Sequence, residues 1–475
     1  MNLGTSLHWV STKMKDKACL IEGAIEVSYS ELWKNIETLA KGFLKIGIKE
    51  NDKAVIILPN CKEFIYSFYG LARINAISVP LNTYLTSYEL DKIFKDCDPK
   101  VIITTYQLYK KKISAISNKN ILIILTDESL EPGKDGLFEL GDLLAKGGTG
   151  RLPRFSANNN QIATINYTYR GLGEAIGAVL THGNYHHGAI GYLRLTKLVT
   201  TQRVLLITPM SHIFTLVSCV IVPLLRGATV VIMKSFIPSH IFKAIEDHKI
   251  DFVIAVPTIY ISLLKNYKKG RFDISSLKYG ITGGSYLSES LNKEIKEEMG
   301  IELLQGYGLT ETMPIMCNPH SRNKMGSLGV AGHEVKVKIV DGEILIGGPT
   351  VMRGYYNKNG ENKKYLKDGW FKTGDMGYID EEGYVYFKGL KKDIIKVGGN
   401  NVDLTEVKNV LNSFPGARNV RLDIVGDELW GHRIHAEITG PFKKEVTDKD
   451  VKAFCSERMA LYKIPKRILI RMSRG

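Results

Sequence analysis

The sequence predicts an α/β protein with a large N-terminal domain of parallel sheets covered by helices, a small β-rich subdomain and a small α+β domain at the C-terminus. Apolar strand-like runs alternate with segments of helical periodicity through the first two thirds of the chain, an order typical of parallel sheets. Short β-like runs begin at about Gly326, and another compact unit follows Gly389. A chain of 475 residues is too long for one ordinary core, so more than one domain is expected.

The elements of the large domain follow from short apolar runs and from helical spacing of apolar residues. Strands are predicted at Ala54–Leu58, Val101–Thr104, Ile121–Leu125, Val204–Ile207, Ala228–Met233 and Phe252–Val256. Helices are predicted to open at Tyr29 and to cover Glu63–Arg73 and Ser239–His248. Segment 126–160 is rich in Gly, Asn and Pro and predicts an exposed connection. The apolar stretch Ile213–Leu225 is shorter than the roughly 20 residues of a membrane span and predicts buried core.

The predicted secondary structure changes to short strands in the last third of the chain. Val335–Val340 and Glu343–Ile346 predict short strands, with turns at Asp341-Gly342 and Glu382-Gly383. Strand and helix patterns then follow at Val402–Leu411, Val420–Val425, His432–Ile438 and Asp448–Ala460. We therefore predict one domain over residues 1–389 and a second over residues 390–475.

Composition is that of a soluble enzyme, with 44% hydrophobic and 24% charged residues. The six cysteines are scattered without CxxC spacing, and the N-terminus lacks a signal-peptide core, which predicts a cytoplasmic protein. A net charge of +15 favours polyanionic partners such as nucleotides, CoA or anionic lipid. The basic residues form no aromatic-interleaved strip, so a nucleic-acid partner is not expected.

The octapeptide Gln305–Thr312 is the most informative stretch of the chain. It places Tyr307, two glycines, a threonine hydroxyl and Glu311 in one short loop. A nucleotide needs such groups close together: a ring to stack on, backbone room for phosphate, a donor and a hard oxygen ligand for Mg²⁺. An isolated Gly-Tyr-Gly would more often be an ordinary turn, but the whole octapeptide is more specific and predicts a nucleotide site.

The octapeptide resembles the signature of the adenylate-forming superfamily, which includes acyl-CoA synthetases, aryl-CoA ligases, luciferases and peptide-synthetase adenylation domains. The resemblance covers nearly the whole chain and keeps the family's order. Its further motifs are Val79–Asn82, Thr181–Asn184, Pro209–Phe214, Gly283–Ser285, Gly369–Asp375 and Lys392–Gly399. The resemblance implies a C-terminal domain that is mobile, and ATP, Mg²⁺ and CoA as cofactors.

The resemblance also implies roles for individual residues. Catalysis is expected from Thr310, Glu311, Lys396 and His212, with Glu311 as the Mg²⁺ ligand and His212 as a gate toward the thiol entry. ATP or AMP binding is expected from Thr168, Gly173, Gly177, Gly283, Gly284, Tyr307, Gly308, Thr310 and Asp375. Gly398 and Gly399 are expected to line the CoA route, and Lys392 to be the hinge. A structural histidine, a surface lysine and a turn aspartate remain alternatives for His212, Lys396 and Asp375.

Three departures from the family pattern stand out. The phosphate loop, expected as Tyr-Thr-Ser-Gly-Thr-Thr-Gly-x-Pro-Lys-Gly, here spans 167–177 with its hydroxyl donors and lysine replaced. Ile176 stands in place of that lysine, while Arg170 could supply the missing charge and Glu174 would repel phosphate. Leu390 replaces the usual arginine of the hinge string. The sequence ends at Gly475, before the Gly-Lys pair of the family, so the resemblance implies an incomplete C-terminal domain.

We therefore predict ATP-dependent activation of a carboxylic acid, of fatty type, to acyl-AMP, followed by transfer to CoA. The acyl pocket is expected from segments 186–193, 256–260, 280–285 and 306–310, whose residues Ile190, Val256 and Ile281 are apolar. One alternative is a ligase that uses a carrier-protein thiol. Another is a catalytically weakened relative that binds nucleotide or acyl ligand in a non-enzymatic role. A peripheral membrane contact and a homodimer are further possibilities.

Overall fold

The computed structural model describes residues 2–116, 120–127, 137–146, 152, 158–285, 287–391, 394–442 and 446–472. Its N-terminal part contains the strands β1 (Ala18–Glu22), β2 (Ile25–Ser28), β3 (Lys53–Ile57), β4 (Ile77–Pro80), β5 (Val101–Thr104), β6 (Leu122–Leu125), β7 (Leu137–Glu139), β8 (Ile162–Tyr169) and β9 (Ala175–Thr181). Its helices are α1 (Leu3–Lys13), α2 (Tyr29–Lys45), α3 (Lys62–Arg73), α4 (Ser87–Cys97), α5 (Tyr106–Leu108), α6 (Leu140–Lys146) and α7 (His182–Thr196).

The middle of the chain continues the alternation and then becomes strand-rich. Its strands are β10 (Arg203–Leu206), β11 (Thr229–Ile232), β12 (Phe252–Ala255), β13 (Tyr279–Thr282), β14 (Glu302–Leu309), β15 (Met313–Cys317), β16 (Val330–Ala331), β17 (Lys336–Val340), β18 (Glu343–Gly347), β19 (Gly354–Tyr355), β20 (Leu366–Lys367), β21 (Trp370–Ile379) and β22 (Val385–Leu390). Its helices are α8 (Ile213–Thr215), α9 (Val222–Arg226), α10 (Pro238–His248), α11 (Pro257–Asn266), α12 (Glu289–Met299) and α13 (Asn359–Tyr365).

The C-terminal unit is smaller and mixes strands with two helices. It contains β23 (Ile394–Val397), β24 (Asn400–Asp403), β25 (Asn419–Asp427), β26 (Gly431–Gly440), β27 (Arg467–Met472), α14 (Leu404–Asn412) and α15 (Asp448–Ser456). Short π-helical or 3₁₀ segments lie at Tyr109–Ile113, Leu216–Ile221, His320–Arg322 and Leu461–Lys463.

Two large sheets form the N-terminal domain. One has the order β19-β9-β8-β4-β3-β5-β6-β7, and the other β16-β15-β14-β13-β12-β10-β11-β1-β2. The strands from β8 to β7 and from β14 to β1 run parallel, whereas antiparallel strands close the remaining edges. The predicted parallel α/β class is therefore confirmed.

Local sequence explains why these elements begin where they do. Ser28 caps α2: its hydroxyl accepts from the backbone of Glu31, whose carboxylate accepts from the Ser28 backbone in return. Such a reciprocal box satisfies donors that a helix start would otherwise leave unpaired. The predicted core segment Ile213–Leu225 is deeply buried along Leu216–Leu224, and no helix within the described ranges is long and apolar enough to cross a bilayer.

A five-stranded sheet, β17-β18-β21-β20 with β22 on β21, forms the predicted β-rich subdomain. A second five-stranded sheet, β24-β23-β26-β25 with β27 on β26, forms the C-terminal unit around its own apolar core. The exposed connection predicted over 126–160 is wrong in part, because β7 and α6 lie within it and bury Leu140 and Leu143. The boundary at 389–390 stays a prediction, and Lys392, the predicted hinge, lies outside the described residues.

Candidate functional site

The predicted nucleotide-binding residues meet at the carboxyl ends of two neighbouring parallel strands. Gly283 and Gly284 follow β13, and Tyr307 and Gly308 end β14, which pairs with β13. Crevices at the carboxyl ends of parallel strands are where open α/β sheets bind ligands.

Close packing favours glycine at two of these positions, and backbone conformation favours it at a third. A Cβ on Gly283 would lie 3.1 Å from the Phe214 ring, and one on Gly308 would lie 2.1 Å from the carbonyl oxygen of Met313. Gly284 has a φ of +76°, which an L side chain rarely adopts. The backbone can therefore come closer to its neighbours than any side chain would allow.

Asp375 reaches the same crevice from β21. The Tyr307 hydroxyl donates to its Oδ2 at 2.6 Å, and the Asp375 amide donates to the Thr373 hydroxyl at 3.0 Å. Burial, together with the Asp375 charge, raises the pKa of Tyr307 well above its usual value. Tyr307 is therefore a neutral donor that fixes the carboxylate, and the two predicted nucleoside-binding side chains form one unit.

The altered phosphate loop is a tight hairpin turn between β8 and β9. Tyr169 pairs with Ala175 across it, and Gly171 and Gly173 have φ values of +76° and +77°. Two glycines in the left-handed region therefore give this turn its shape. Thr168 pairs with Ile176 just below the turn, and both are buried.

Arg170 leaves this turn for the interior and meets Glu311. It is 5% exposed, and its Nε lies 3.2 Å from Oε1 of Glu311, which is 1% exposed. Its Nη2 donates to the carbonyl oxygen of Lys372 at 3.1 Å. Burial alone would lower the pKa of Arg170, but Glu311 and its neighbours raise it above the usual value. The guanidinium is therefore charged.

The Glu311 carboxylate has a second partner that the sequence did not reveal. The hydroxyl of Tyr355, on β19, donates to the same Oε1 at 2.7 Å. Burial and the Glu311 charge raise the pKa of Tyr355. Nothing in the sequence near either residue points to this contact, because β19 reaches the site only through its pairing with β9.

A magnesium ion at Glu311 does not fit this arrangement. Mg²⁺ requires near-ideal octahedral oxygen coordination and retains several waters, whereas this carboxylate is buried and already pairs with a guanidinium and a phenol. Within the described ranges, no group of three or more His, Cys, Asp or Glu residues is arranged to hold a metal ion. Thr310 lies in the adjoining turn and is half-buried.

The C-terminal unit places a glycine turn against the crevice. Gly398 and Gly399, between β23 and β24, have φ values of +57° and +82°. A Cβ on Gly399 would lie 2.6 Å from Val256, and the carbonyl oxygen of Gly399 lies 3.9 Å from the position of a Cβ on Gly284. The predicted CoA-route glycines and a predicted nucleotide glycine are therefore in contact range.

Lys396 and His212 lie beside this turn. Burial lowers the pKa of Lys396, while the negative charges of Asp375 and Glu311 oppose that shift. Burial first, and the positive charge of Lys396 second, lower the pKa of His212 to about 4. With that pKa the His212 imidazole is neutral near pH 7. Its Nε2 lies 3.1 Å from the side-chain nitrogen of Asn82.

The altered loop also contacts the C-terminal unit directly. The Gly173 amide donates to Oδ2 of Asp403 at 3.0 Å, while Oδ1 of Asp403 caps α14. The fully buried Lys463 donates to the Tyr169 hydroxyl at 2.7 Å and pairs with Glu89 and Glu406. Because Glu89 and Tyr169 belong to the N-terminal domain, this cluster joins the two domains.

The structure also places the other positions that the sequence predicts to depart from the family pattern. Ile176 is fully buried in the main core, so a lysine there would be a buried charge. Leu390 pairs with Asp375 across the strands and is 41% exposed. Glu174 forms an ion pair with Lys358, and Gly177 has no room for a side chain, since a Cβ would lie 2.5 Å from Ile165.

Comparison with known proteins identifies the family. A family model described as AMP-binding enzyme matches residues 7–356. Similar curated proteins include a feruloyl-CoA synthase from an Amycolatopsis species, 28% identical over 94% of this chain and 90% of that protein. An indoleacetate–CoA ligase from Aromatoleum aromaticum is 30% identical over 94% of this chain and 89% of its own length.

Solved structures agree with this likeness. An o-succinylbenzoate CoA synthetase from Bacillus subtilis, bound to a product analogue, has a TM-score of 0.86 at 26% identity and covers 99% of this chain and 96% of its own. A fatty acyl CoA synthetase from Mycobacterium tuberculosis has a TM-score of 0.74 at 28% identity, with coverages of 99% and 94%. These similar proteins are CoA synthases, synthetases or ligases by name, and the chain belongs to the AMP-binding enzyme family.

Proposed function

We propose that the chain joins an apolar carboxylic acid to CoA through an acyl-adenylate, and that the described arrangement is the one that forms the thioester. The observation that carries the proposal is the glycine turn Gly398-Gly399, packed against Val256 and Gly284 beside the Tyr307–Asp375 pair. A turn without side chains lets the backbone of the C-terminal unit come close to the crevice, on the route that a thiol arm would take.

In this step the thiol sulfur of CoA attacks the acyl carbonyl carbon of the adenylate. The C–S bond forms, the bond between that carbon and the phosphate oxygen breaks, and AMP leaves while the thiol proton passes to solvent. Asp375 would hold the ribose hydroxyls, because its carboxylate oxygens can accept from both. Lys396, inside the electrostatic range of Asp375 and Glu311, would stabilise the charge that develops on the leaving phosphate.

His212 would act by position rather than by charge. With a pKa near 4 it is neutral, so it adds no cation to the thiol entry. Its place beside Asn82 and within reach of Lys396 and Asn400 suits a gate that closes when the glycine turn docks. The fatty or aromatic nature of the acid rests on apolar side chains such as Val256 and Ile281 near the crevice.

A panel of synthetic acyl-adenylates incubated with CoA tests this proposal, with thioester detected by mass spectrometry. Thioester is expected from apolar acyl groups. Asp375→Ala should weaken AMP binding by ~1.5–3 kcal/mol, the scale of hydrogen bonds to a charged group, without altering the fold. Failure of every acyl-adenylate to yield thioester would overturn the proposal.

A second candidate is a weakened relative that binds nucleotide or acyl ligand without turnover. The replaced loop, where Arg170 and Asp403 contact groups expected to face phosphate, favours it. AMP binding by calorimetry together with no thioester from any adenylate would support this candidate. A carrier-protein thiol as acceptor and a homodimer stay predictions.

A further inference from the structure

The positive charge beside the Glu311 carboxylate is the guanidinium of Arg170. Building on the proposed function, we infer that the Arg170 guanidinium takes the place of a divalent metal ion at this site. The site would therefore bind a nucleoside monophosphate ester, either an acyl-adenylate or AMP, without metal. Arg170 would be a binding residue for the single phosphate group.

The guanidinium is held in one place from several directions. Glu311 pairs with its Nε, the Lys372 carbonyl accepts from its Nη2, and the rings of Tyr365 and Phe371 each lie 5.1 Å from its central carbon. An arginine cannot lose its proton in a protein. A fixed positive charge is thus present whether or not metal is supplied.

One N–H of this buried group has an ion-pair contact but, in the part of the chain that the structure describes, no aligned hydrogen bond. The Nε–H of Arg170 is buried and forms no aligned hydrogen bond among the described residues, although it lies within ion-pair distance of Glu311. Buried donors in native proteins are nearly always satisfied. A phosphate oxygen entering the crevice would be a charged acceptor for it.

The charges of the site suit one phosphate rather than three. Arg170 and Lys396 are balanced by Glu311 and Asp375, and these four groups influence one another electrostatically. The cluster therefore has little excess positive charge to offset a triphosphate, whose charge other enzymes neutralise with a metal. The single anionic phosphate of an acyl-adenylate requires no such excess.

The loop that would hold further phosphates serves another purpose. The Gly173 amide donates to Asp403, and the Tyr169 hydroxyl accepts from Lys463, so both groups dock the C-terminal unit. These contacts involve different residues from the Arg170–Glu311 pair. The Gly173 contact independently occupies a backbone donor that a triphosphate could use while the domains are in this arrangement.

Isothermal titration calorimetry of the full chain tests the inference, with AMP and ATP as ligands, in Mg²⁺ and in EDTA. The wild-type affinity for AMP should be the same in both buffers, and ATP should gain nothing from Mg²⁺. Arg170→Ser should weaken AMP binding by about tenfold or more and should make ATP binding respond to Mg²⁺. Arg170→Lys should retain more AMP affinity than Arg170→Ser.

The matched control is Arg226→Ser, which removes an exposed arginine whose Nε donates to the Leu198 carbonyl oxygen. It should leave both affinities unchanged. Tighter binding of ATP than AMP by the wild-type chain, with a clear gain from Mg²⁺, would overturn the inference, and that comparison needs no variant to fold. Metal-independent AMP binding without thioester formation would instead contradict the proposed function and leave Arg170's role standing.

Discussion

The predicted nucleoside side and the predicted phosphate side of this crevice differ in the partners of their carboxylates. On the predicted nucleoside side, Tyr307, Asp375 and Gly283-Gly284 lie in close packing around a crevice. On the predicted phosphate side, Arg170 enters from the β8–β9 turn and pairs with Glu311. The difference teaches that a carboxylate within a recognisable motif can be paired with a cation from a distant turn.

Asp375 and Glu311 are also expected to differ in whether their removal affects ligand binding or the stability of the fold. Asp375 accepts from a Tyr307 hydroxyl that remains neutral, so its removal takes an acceptor from a neutral group rather than breaking a close ion pair. Glu311 balances a buried arginine, so its removal leaves that charge unpaired. Changes on the phosphate side are therefore expected to affect folding, and changes on the nucleoside side to affect ligand affinity.

The largest expected effect is that of Glu311→Gln. Breaking a buried ion pair from one side typically costs ~3–5 kcal/mol, so the free energy of unfolding should fall by about that amount in urea titrations. Arg170→Met combined with Glu311→Gln should recover part of the loss, because no unpaired charge remains.

The control for this prediction is Asp247→Asn, which breaks an exposed pair with Lys243 on α10. It should change stability by less than about 0.5 kcal/mol. A loss of similar size from Glu311→Gln and from Asp247→Asn would mean that Arg170 and Glu311 are not a buried pair in solution.

Gly399→Ala is expected to have the next largest effect, and on catalysis alone. The added Cβ would lie 2.6 Å from Val256 at a φ of +82°, so the turn must shift. Misplacement by about 1 Å can cost about a hundredfold in rate, and thioester formation from acyl-adenylate should fall by that order while AMP affinity is retained.

Gly383→Ala is the matched control, since Gly383 has a φ of +83° but open surroundings. It carries the same backbone strain without the clash and should keep the wild-type thioester rate. A Gly399→Ala variant that also keeps the wild-type rate would show that the glycine turn does not face the reacting groups.

The smallest expected effect is the pH response of His212. Its pKa falls to about 4 in the fold from about 6.5 in an unfolded chain, so the unfolded state binds the proton more readily. The stability that the neutral imidazole contributes is present above about pH 6.5 and is lost as pH falls toward 4. Between pH 7 and pH 5, His212→Asn should lose less stability in urea titrations than the wild-type chain. Equal losses would place His212 in a solvated environment.

The sequence predicted most of the fold. Its set of site residues stays a prediction, and it did not reveal which side chains contact one another. Strand β5, Val101–Thr104, was predicted with its exact bounds, since a short apolar run between turn residues is typical of a buried strand in an α/β chain. Helix α6 was missed, because three leucines over seven residues are too short a pattern to separate from a connection.

The side-chain contacts of the site could not be predicted because the contacting residues are far apart in the chain. Arg170 was noted as a possible source of charge, yet its pairing with Glu311 depends on how the β8–β9 turn meets the end of β14. Tyr355 and Lys463 carried no sequence signal at all, although each supplies a buried contact to the site or to its docking surface.

The most direct measurement compares two starting points in one chain. Thioester formation is followed from synthetic acyl-adenylate plus CoA, and separately from the same acid plus ATP, Mg²⁺ and CoA. We predict a much faster rate from the adenylate, because the thiol side of the crevice is assembled while the phosphate side is occupied by Arg170 and Asp403. Equal rates from the two starting points would contradict the account.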